Sequence, residues 1–209
     1  MVQTLSAKDI DLAQLETLFG LVQTHDPNFF PEWQDTLPDL SASEGEAVDE
    51  VKAEYLHLSR YNILEPLVKM VVLSPLLKLA GFYRPPFYVM AEQQVELTTQ
   101  DEGQVIRGLV DVLVFHEQVW IITIEAKRAE YSLKAAIPQV LFYMLGQPLP
   151  EHPIYGFMTN GSEFKFLKLQ QRECPTYELS YTLALDRGDD LNRVVRILKR
   201  FAQLAIHKQ

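Results

Sequence analysis

Three charged side chains stand at the ends of two apolar runs in VDVLVFHEQVWIITIEAKRAE, residues 110–130. Asp111 opens the first run, and Glu125 and Lys127 close the second. Residues two apart on a strand share a face, and a hairpin turn at Glu117 or Gln118 sets Asp111 opposite Thr123 or Glu125. In either register the two carboxylates come within cross-strand or diagonal reach. Converging carboxylates repel each other unless a cation joins them, so the pattern predicts a metal site.

Mg²⁺ is the expected ion, with Mn²⁺ as the alternative, because such a cation takes oxygen ligands, keeps several waters and pairs with phosphate. The main-chain carbonyl of Ala126 is a candidate third ligand. Lys127 then lies where an ammonium orients water and offsets charge on a phosphoryl group. This set is what hydrolysis of a phosphodiester requires. The alternative is an ordinary surface ion pair between Glu125 and Lys127, and the continuously apolar run WIITI argues against it by indicating a buried central strand.

The elements that must position these residues follow from apolar spacing and from turn and capping signals. The spacing predicts helices over residues 7–23, 44–59, 60–80, 129–145 and 189–208. It predicts strands over residues 87–97, over both runs of the opening stretch, on each side of Asn160-Gly161 and over 177–185. Ser43 and Glu46 fit a capping box for the second helix, and Gly81 is expected to end the third. Three strands, a helix and a returning strand predict a mixed α/β sheet flanked by helices.

The negative charge is concentrated at the N-terminus. Residues 1–56 hold two lysines and twelve acidic residues, a formal charge of −10, whereas the whole chain carries −9. This asymmetry predicts an acidic helical extension over residues 1–59, packed through Leu15, Leu18, Phe19 and Trp33 on a core of residues 60–209. The extension is interpreted as a partner-binding or self-association surface, the latter giving a homo-oligomer, or as a guard against non-specific DNA binding.

Other features favour a chain of the cytoplasm. Cys174 is the only cysteine, so an internal disulfide is excluded. The first residues show no secretory signal. The apolar stretch over residues 63–82 is interrupted by charges and prolines, which argues against a membrane span.

The segments GLVDVLVF, WIITIEAKR and AAIPQVLFYM resemble the PD-(D/E)XK nuclease core, in the version found at the N-terminus of the restriction subunit of type I restriction enzymes. In more detail, the chain resembles small stand-alone proteins of this group, in which WQDTLPDL and an acidic helix precede the core. The resemblance covers about residues 60–170, and its elements occur in order. The positions that match the pattern are Gly108, Asp111, Val114, Glu125, Ala126, Lys127, Gln139 and Tyr143, together with Glu65, the run SPLLKLAG at 74–81 and TNG at 159–161.

The resemblance implies a restriction-endonuclease-like fold and a metal-dependent nuclease that acts on DNA. It implies that Gln139 faces the metal site and holds the scissile phosphate or the attacking water, and that Glu65 adds a carboxylate through a water. A helix-terminal acid is an equal interpretation for Glu65. Arg128 and Lys134 are candidates for phosphate contacts, with solvated surface as the alternative.

The chain departs from the family pattern in two respects. Val110 stands where the family name has proline. No GxxxxGK[ST] segment occurs, so any translocation is expected from a separate translocase or specificity protein. The competing hypothesis is a non-catalytic nuclease fold that acts as a binding or regulatory module through its acidic N-terminal region. Retention of Asp111, Glu125, Lys127 and Gln139 together favours the nuclease.

Overall fold

The computed structural model describes residues 4–98, 105–116, 119–126, 132–147 and 152–206, with the backbone alone for residues 4–5 and 119–126. None of the helices in these ranges is long and apolar enough to cross a lipid bilayer. The strands are β1 Thr4–Ser6, β2 Val22–Gln23, β3 Phe87–Thr98, β4 Val105–His116, β5 Val119–Ala126, β6 Ile154–Thr159, β7 Glu163–Gln170, β8 Thr176–Leu179 and β9 Leu183–Ala184. The α-helices are α1 Leu12–Phe19, α2 Ala42–Leu58, α3 Glu65–Val68, α4 Ser74–Leu79, α5 Ile137–Leu145 and α6 Asp190–Ile206.

The strands form one mixed sheet, which confirms the predicted fold class. Its order is β1-β4-β5-β6-β7-β8-β2, with β3 on β4 and β9 on β7. Strands β3, β4 and β5 form an antiparallel meander, and β6 returns parallel to β5 after α5. A parallel return needs a crossover connection, and the segment that contains α5 supplies it. Strand β5 therefore lies between two partners, as its continuously apolar sequence predicts, and the arrangement is consistent with a restriction-endonuclease-like core.

Two hydrophobic cores lie on opposite faces of the sheet, because neighbouring residues of β6 enter different ones. Tyr155 and Phe157 join the core formed with α2, α3, α4 and α6. Ile154 and Met158 join the core formed with α1 and α5. Both faces of the central strands are thus covered, so we expect the functional side chains at the ends and bends of the strands.

The N-terminal region differs from the predicted helical extension. Within residues 7–23 the helix is limited to α1, Leu12–Phe19, which is capped by Asp11 and ended by Gly20 in the left-handed conformation. On either side of it, β1 pairs in parallel with β4 and β2 pairs in parallel with β8. Two- and three-residue strands are too short to show an alternating pattern, and only pairing with distant strands forms them. The region is therefore part of the sheet, while the boundary at residue 59 stays a prediction.

Several helix boundaries also differ from those predicted, and α2 begins two residues earlier, at Ala42. The capping box of α2 is formed by Ser41 and Glu44 rather than by Ser43 and Glu46. The third helix begins at Glu65, with Pro66 in its first turn, and a π-helical segment, Lys69–Leu73, separates α3 from α4. The helix predicted over residues 129–145 begins with a 3₁₀ turn, Leu133–Ala136, which is followed by α5. Proline fits the first turn because the amide it lacks has no partner there.

Gly81 ends α4 as predicted, with φ of +89° and its amide bonded to the Lys78 carbonyl. Asn160 and Gly161 lie in the loop between β6 and β7, also as predicted. The predicted last strand, 177–185, is divided into β8 and β9.

Candidate active site

Near Asp111, the side chains of the long strand β4 switch from one face of the sheet to the other. Ile106 and Val110 enter the core beneath α5. Val114 would face the same core in a regular strand, because it is four residues after Val110, but it enters the opposite core. The β3–β4 ladder pairs Ala91 with Val112 and Gln93 with Val110, and it omits the pair between them, Glu92 and Asp111.

Glu92 has φ of +54°, in the left-handed region that disfavours a side chain bearing Cβ. Strained backbone of this kind costs on the order of 1–3 kcal/mol and tends to occur at functional sites. Asp111 therefore sits at a local distortion of the sheet rather than in a regular ladder.

Asp111 and Glu65 converge on one cation, the side chain of Lys69. The Lys69 Nζ lies 2.8 Å from Asp111 Oδ1 and 2.8 Å from Glu65 Oε1. Burial by itself would lower the pKa of Lys69, but hydrogen bonds and charge from Asp111 and Glu65 outweigh it and raise the pKa above its ordinary value. The ammonium is therefore charged at neutral pH and offsets part of the negative charge of the two acids.

Lys69 is one of the charges that interrupt the apolar stretch over residues 63–82, and sequence analysis assigns it no role. Its spacing of four residues from Glu65 on a helix was the signal that could have found the first contact. The contact with Asp111 joins residues 42 apart in sequence, and no local pattern predicts it.

Glu125 and Ala126 end the central strand β5. The ladder pairs Val112 with Ile124 and Leu113 with Thr123. Extended by one residue, this register sets Glu125 opposite Asp111, the second of the two registers considered from sequence. The Glu125 side chain and the whole of Lys127 and Arg128 lie outside the described residues, so the cluster of Asp111, Glu125 and Lys127 stays a prediction.

Gln139 is buried in the first turns of α5, with 5% of its surface exposed. Its Nε2 donates to the Tyr143 hydroxyl at 2.8 Å, and that hydroxyl donates to the Leu109 carbonyl at 2.8 Å. The two side chains thus connect α5 to β4 two residues before Asp111. Tyr143 is fully buried and belongs to the core beneath α5. For Gln139, these contacts indicate that it positions β4 at the site, and direct contact with phosphate stays untested.

Gly108 is explained by this packing. A Cβ built on it would lie 2.7 Å from Tyr143 Cε1 and 2.5 Å from the Cβ of Ala7. The missing side chain lets the Tyr143 ring lie directly against β4, which is the close approach that glycine permits. The glycine three residues before Asp111 therefore has a packing role beside the site.

Lys134 and Lys165 add positive charge on the face that α5 covers. Lys134 is exposed on the 3₁₀ turn before α5. Lys165 pairs with Met158 across the sheet, and Met158 pairs with Glu125, so the three share one register row. Burial and the nearby Lys134 charge lower the pKa of Lys165. Sequence reasoning missed Lys165, since only the register places it on this row.

Asp111 and Glu65 place two carboxylates on one ammonium, and carboxylate oxygens are ligands that Mg²⁺ takes in proteins. Among the described residues, no group of three acidic, histidine or cysteine side chains could hold a metal ion. A complete metal site with ligands from the end of β5 therefore stays a prediction.

The chain is similar to one known family and to several solved structures. Residues 33–173 match the family model described as type I restriction enzyme R protein N terminus. Twelve chains of solved structures match. One is a fragment described as an HsdR subunit of a type I restriction enzyme from Vibrio vulnificus YJ016, with 19% identity and a TM-score of 0.41. That match covers 64% of this chain and 25% of the other, so the chain spans about a quarter of that relative. No curated protein matches.

Proposed function

The chain belongs to the family of type I restriction enzyme R protein N termini, and from this premise we propose that it is a metal-dependent nuclease that hydrolyses DNA phosphodiester bonds. The observation that carries the proposal is the convergence of Glu65 and Asp111 on one cation, at the distortion of β4 beside the end of the central strand β5. A buried scaffold has no need of two acids at such a place, because their mutual repulsion must be offset.

Each residue has a role in this proposal. Asp111 and Glu125 would bind Mg²⁺ or Mn²⁺, with Glu65 and the Ala126 carbonyl as further ligands. When bound, the ion supplies a Lewis acid for the phosphoryl oxygens. Lys127 offsets the charge that develops on the phosphate.

The remaining candidates would act around this centre. Gln139 holds β4 in place through Tyr143. Arg128, Lys134 and Lys165 would contact the DNA backbone, because ammonium and guanidinium groups bind phosphates. Partner subunits for specificity and translocation belong to the same proposal.

Cleavage of mixed DNA substrates by Asp111→Asn and Lys127→Ala variants tests the proposal. We expect Asp111→Asn to lose both Mn²⁺ binding and cleavage, because it removes a charged ligand. Lys127→Ala should keep metal binding and lose cleavage by on the order of 10²–10³, the cost of removing a preorganised charge at the reacting group. Lys78→Ala, an exposed lysine on α4, is the matched control and should cleave normally.

The competing function is a non-catalytic module that acts through the acidic N-terminal region. This function predicts no cleavage by the wild-type protein with either metal. If no cleavage is observed, the non-catalytic module replaces the nuclease proposal. Equal cleavage by wild type and Lys127→Ala would instead retain a nuclease and remove Lys127 from its mechanism.

A further inference from the structure

Lys69 occupies the position between Glu65 and Asp111 that a bridging cation would take. Its Nζ is 2.8 Å from one oxygen of each carboxylate. About 28% of the Lys69 side chain is exposed, against 15% for Asp111. The Glu65 side chain is 35% exposed, so the ammonium lies in a partly exposed cluster whose most buried member is Asp111.

We propose that Lys69 is an internal counter-cation, which holds Glu65 and Asp111 together in the metal-free protein and is displaced when a divalent metal binds. This inference rests on the proposed function only in taking these carboxylates as part of a metal site. An ammonium and a divalent ion that contact the same two carboxylate oxygens repel each other strongly. They cannot both occupy the point where the two acids converge.

The local structure allows the lysine to withdraw. Lys69 begins the π-helical segment, whose wider turn is closed by a bond from the Ser74 amide to the Lys69 carbonyl. Short π segments occur frequently at functional sites. The lysine side chain is a flexible four-carbon stem that ends in a compact charge. Rotation of this stem releases the acids without any change in the helix backbone.

Displacement has a measurable consequence for metal affinity. If a metal binds only the molecules in which Lys69 has withdrawn, the apparent association constant is the intrinsic constant multiplied by the fraction of such molecules. Removing the ammonium should therefore strengthen metal binding, although it removes a favourable ion pair from the metal-free protein. A purely structural lysine would not produce this pair of opposite effects.

The test is calorimetric titration of the full chain with Mn²⁺ and with Mg²⁺, without DNA, for wild type and Lys69→Met. We expect Lys69→Met to bind Mn²⁺ about tenfold more tightly, on the assumption that about a tenth of wild-type molecules have the lysine withdrawn. In metal-free buffer, Lys69→Met should melt at a lower temperature than wild type, and saturating Mn²⁺ should raise its melting temperature more. Lys78→Met is the matched control and should behave as wild type in both measurements.

Lys69→Gln serves if Lys69→Met does not fold, because its amide still donates to a carboxylate but carries no charge. Equal or weaker metal binding by the uncharged variants overturns the inference, as does the absence of binding in every protein. The cleavage assay separates the two proposals. If the variants bind metal more tightly but no protein cleaves DNA, displacement of Lys69 is retained and the nuclease proposal is rejected. If wild type cleaves DNA but the variants bind metal with unchanged affinity, the nuclease proposal is retained and displacement is rejected.

Discussion

At the scale of single residues, Gly108 shows how one missing side chain positions the site. Because an added Cβ would lie 2.5 Å from the Ala7 Cβ and 2.7 Å from the Tyr143 ring, alanine must push β1 or α5 away from β4. We expect Gly108→Ala to lower the free energy of unfolding by about 1–3 kcal/mol, as overpacking in a core does. Urea denaturation measures this loss.

Gly45 provides the matched control for this substitution. It lies in the first turns of α2, and a Cβ built there meets nothing within 4 Å. Gly45→Ala should raise the free energy of unfolding by up to about 1 kcal/mol, because glycine is the weaker helix former. Equal effects of the two substitutions would show that close approach to Tyr143 is not what requires glycine at residue 108.

At the scale of elements, the ion pair between α2 and α6 predicts a dependence on pH. Lys199 Nζ lies 2.6 Å from Glu44 Oε1. The hydrogen bond from Lys199 and that from the Ser41 amide lower the pKa of Glu44. A lowered folded-state pKa contributes stability above the unfolded pKa, and this contribution is lost as pH falls through the folded value.

Glu44→Gln should therefore cost stability at neutral pH, by less than about 1 kcal/mol for a partly exposed pair. Its difference from wild type should vanish in acid, below the ordinary carboxyl range. Glutamine retains the capping box, so the substitution isolates the charge. Thermal melts from pH 7 to pH 3 measure the difference, with Glu46→Gln as control. A constant difference across that range would contradict the assignment to the Glu44 charge.

At the scale of the whole molecule, a buried ion pair fastens the N-terminal segment to the sheet. Lys168 Nζ lies 2.5 Å from Glu32 Oε1 and donates to the Phe29 carbonyl at 2.7 Å. The Tyr155 hydroxyl also donates to Glu32 Oε1, at 3.2 Å. Burial and the Glu32 charge raise the pKa of Tyr155 above its ordinary range, so the hydroxyl keeps its proton.

Lys168→Met should cost about 3–5 kcal/mol, because it leaves the Glu32 charge buried without its partner. Glu32→Leu combined with Lys168→Met should recover much of that loss in urea denaturation, since an apolar pair removes both desolvated charges. Lys165→Met, on the opposite face of β7, is the control, because burial already disfavours its charge. Additive losses in the double variant would show that the two side chains are not coupled.

The order of the main elements and the resemblance to the family were predictable from local sequence signals. Periodicity and turn residues are local signals, so β3, the loop at Asn160-Gly161, α6 and the end of α4 at Gly81 were predictable. The central position of β5 was predictable too, since a strand covered on both faces must be apolar throughout.

The contacts between distant segments are visible only in the folded structure. It placed β1 and β2 in the sheet, set Lys69 against Asp111, explained Gly108 by the Tyr143 ring and brought Lys165 into the row of Glu125. Each of these depends on which strand lies beside which, and on their register. Such pairings join residues far apart in the chain and are fixed by packing of the whole sheet, so no local pattern contains them.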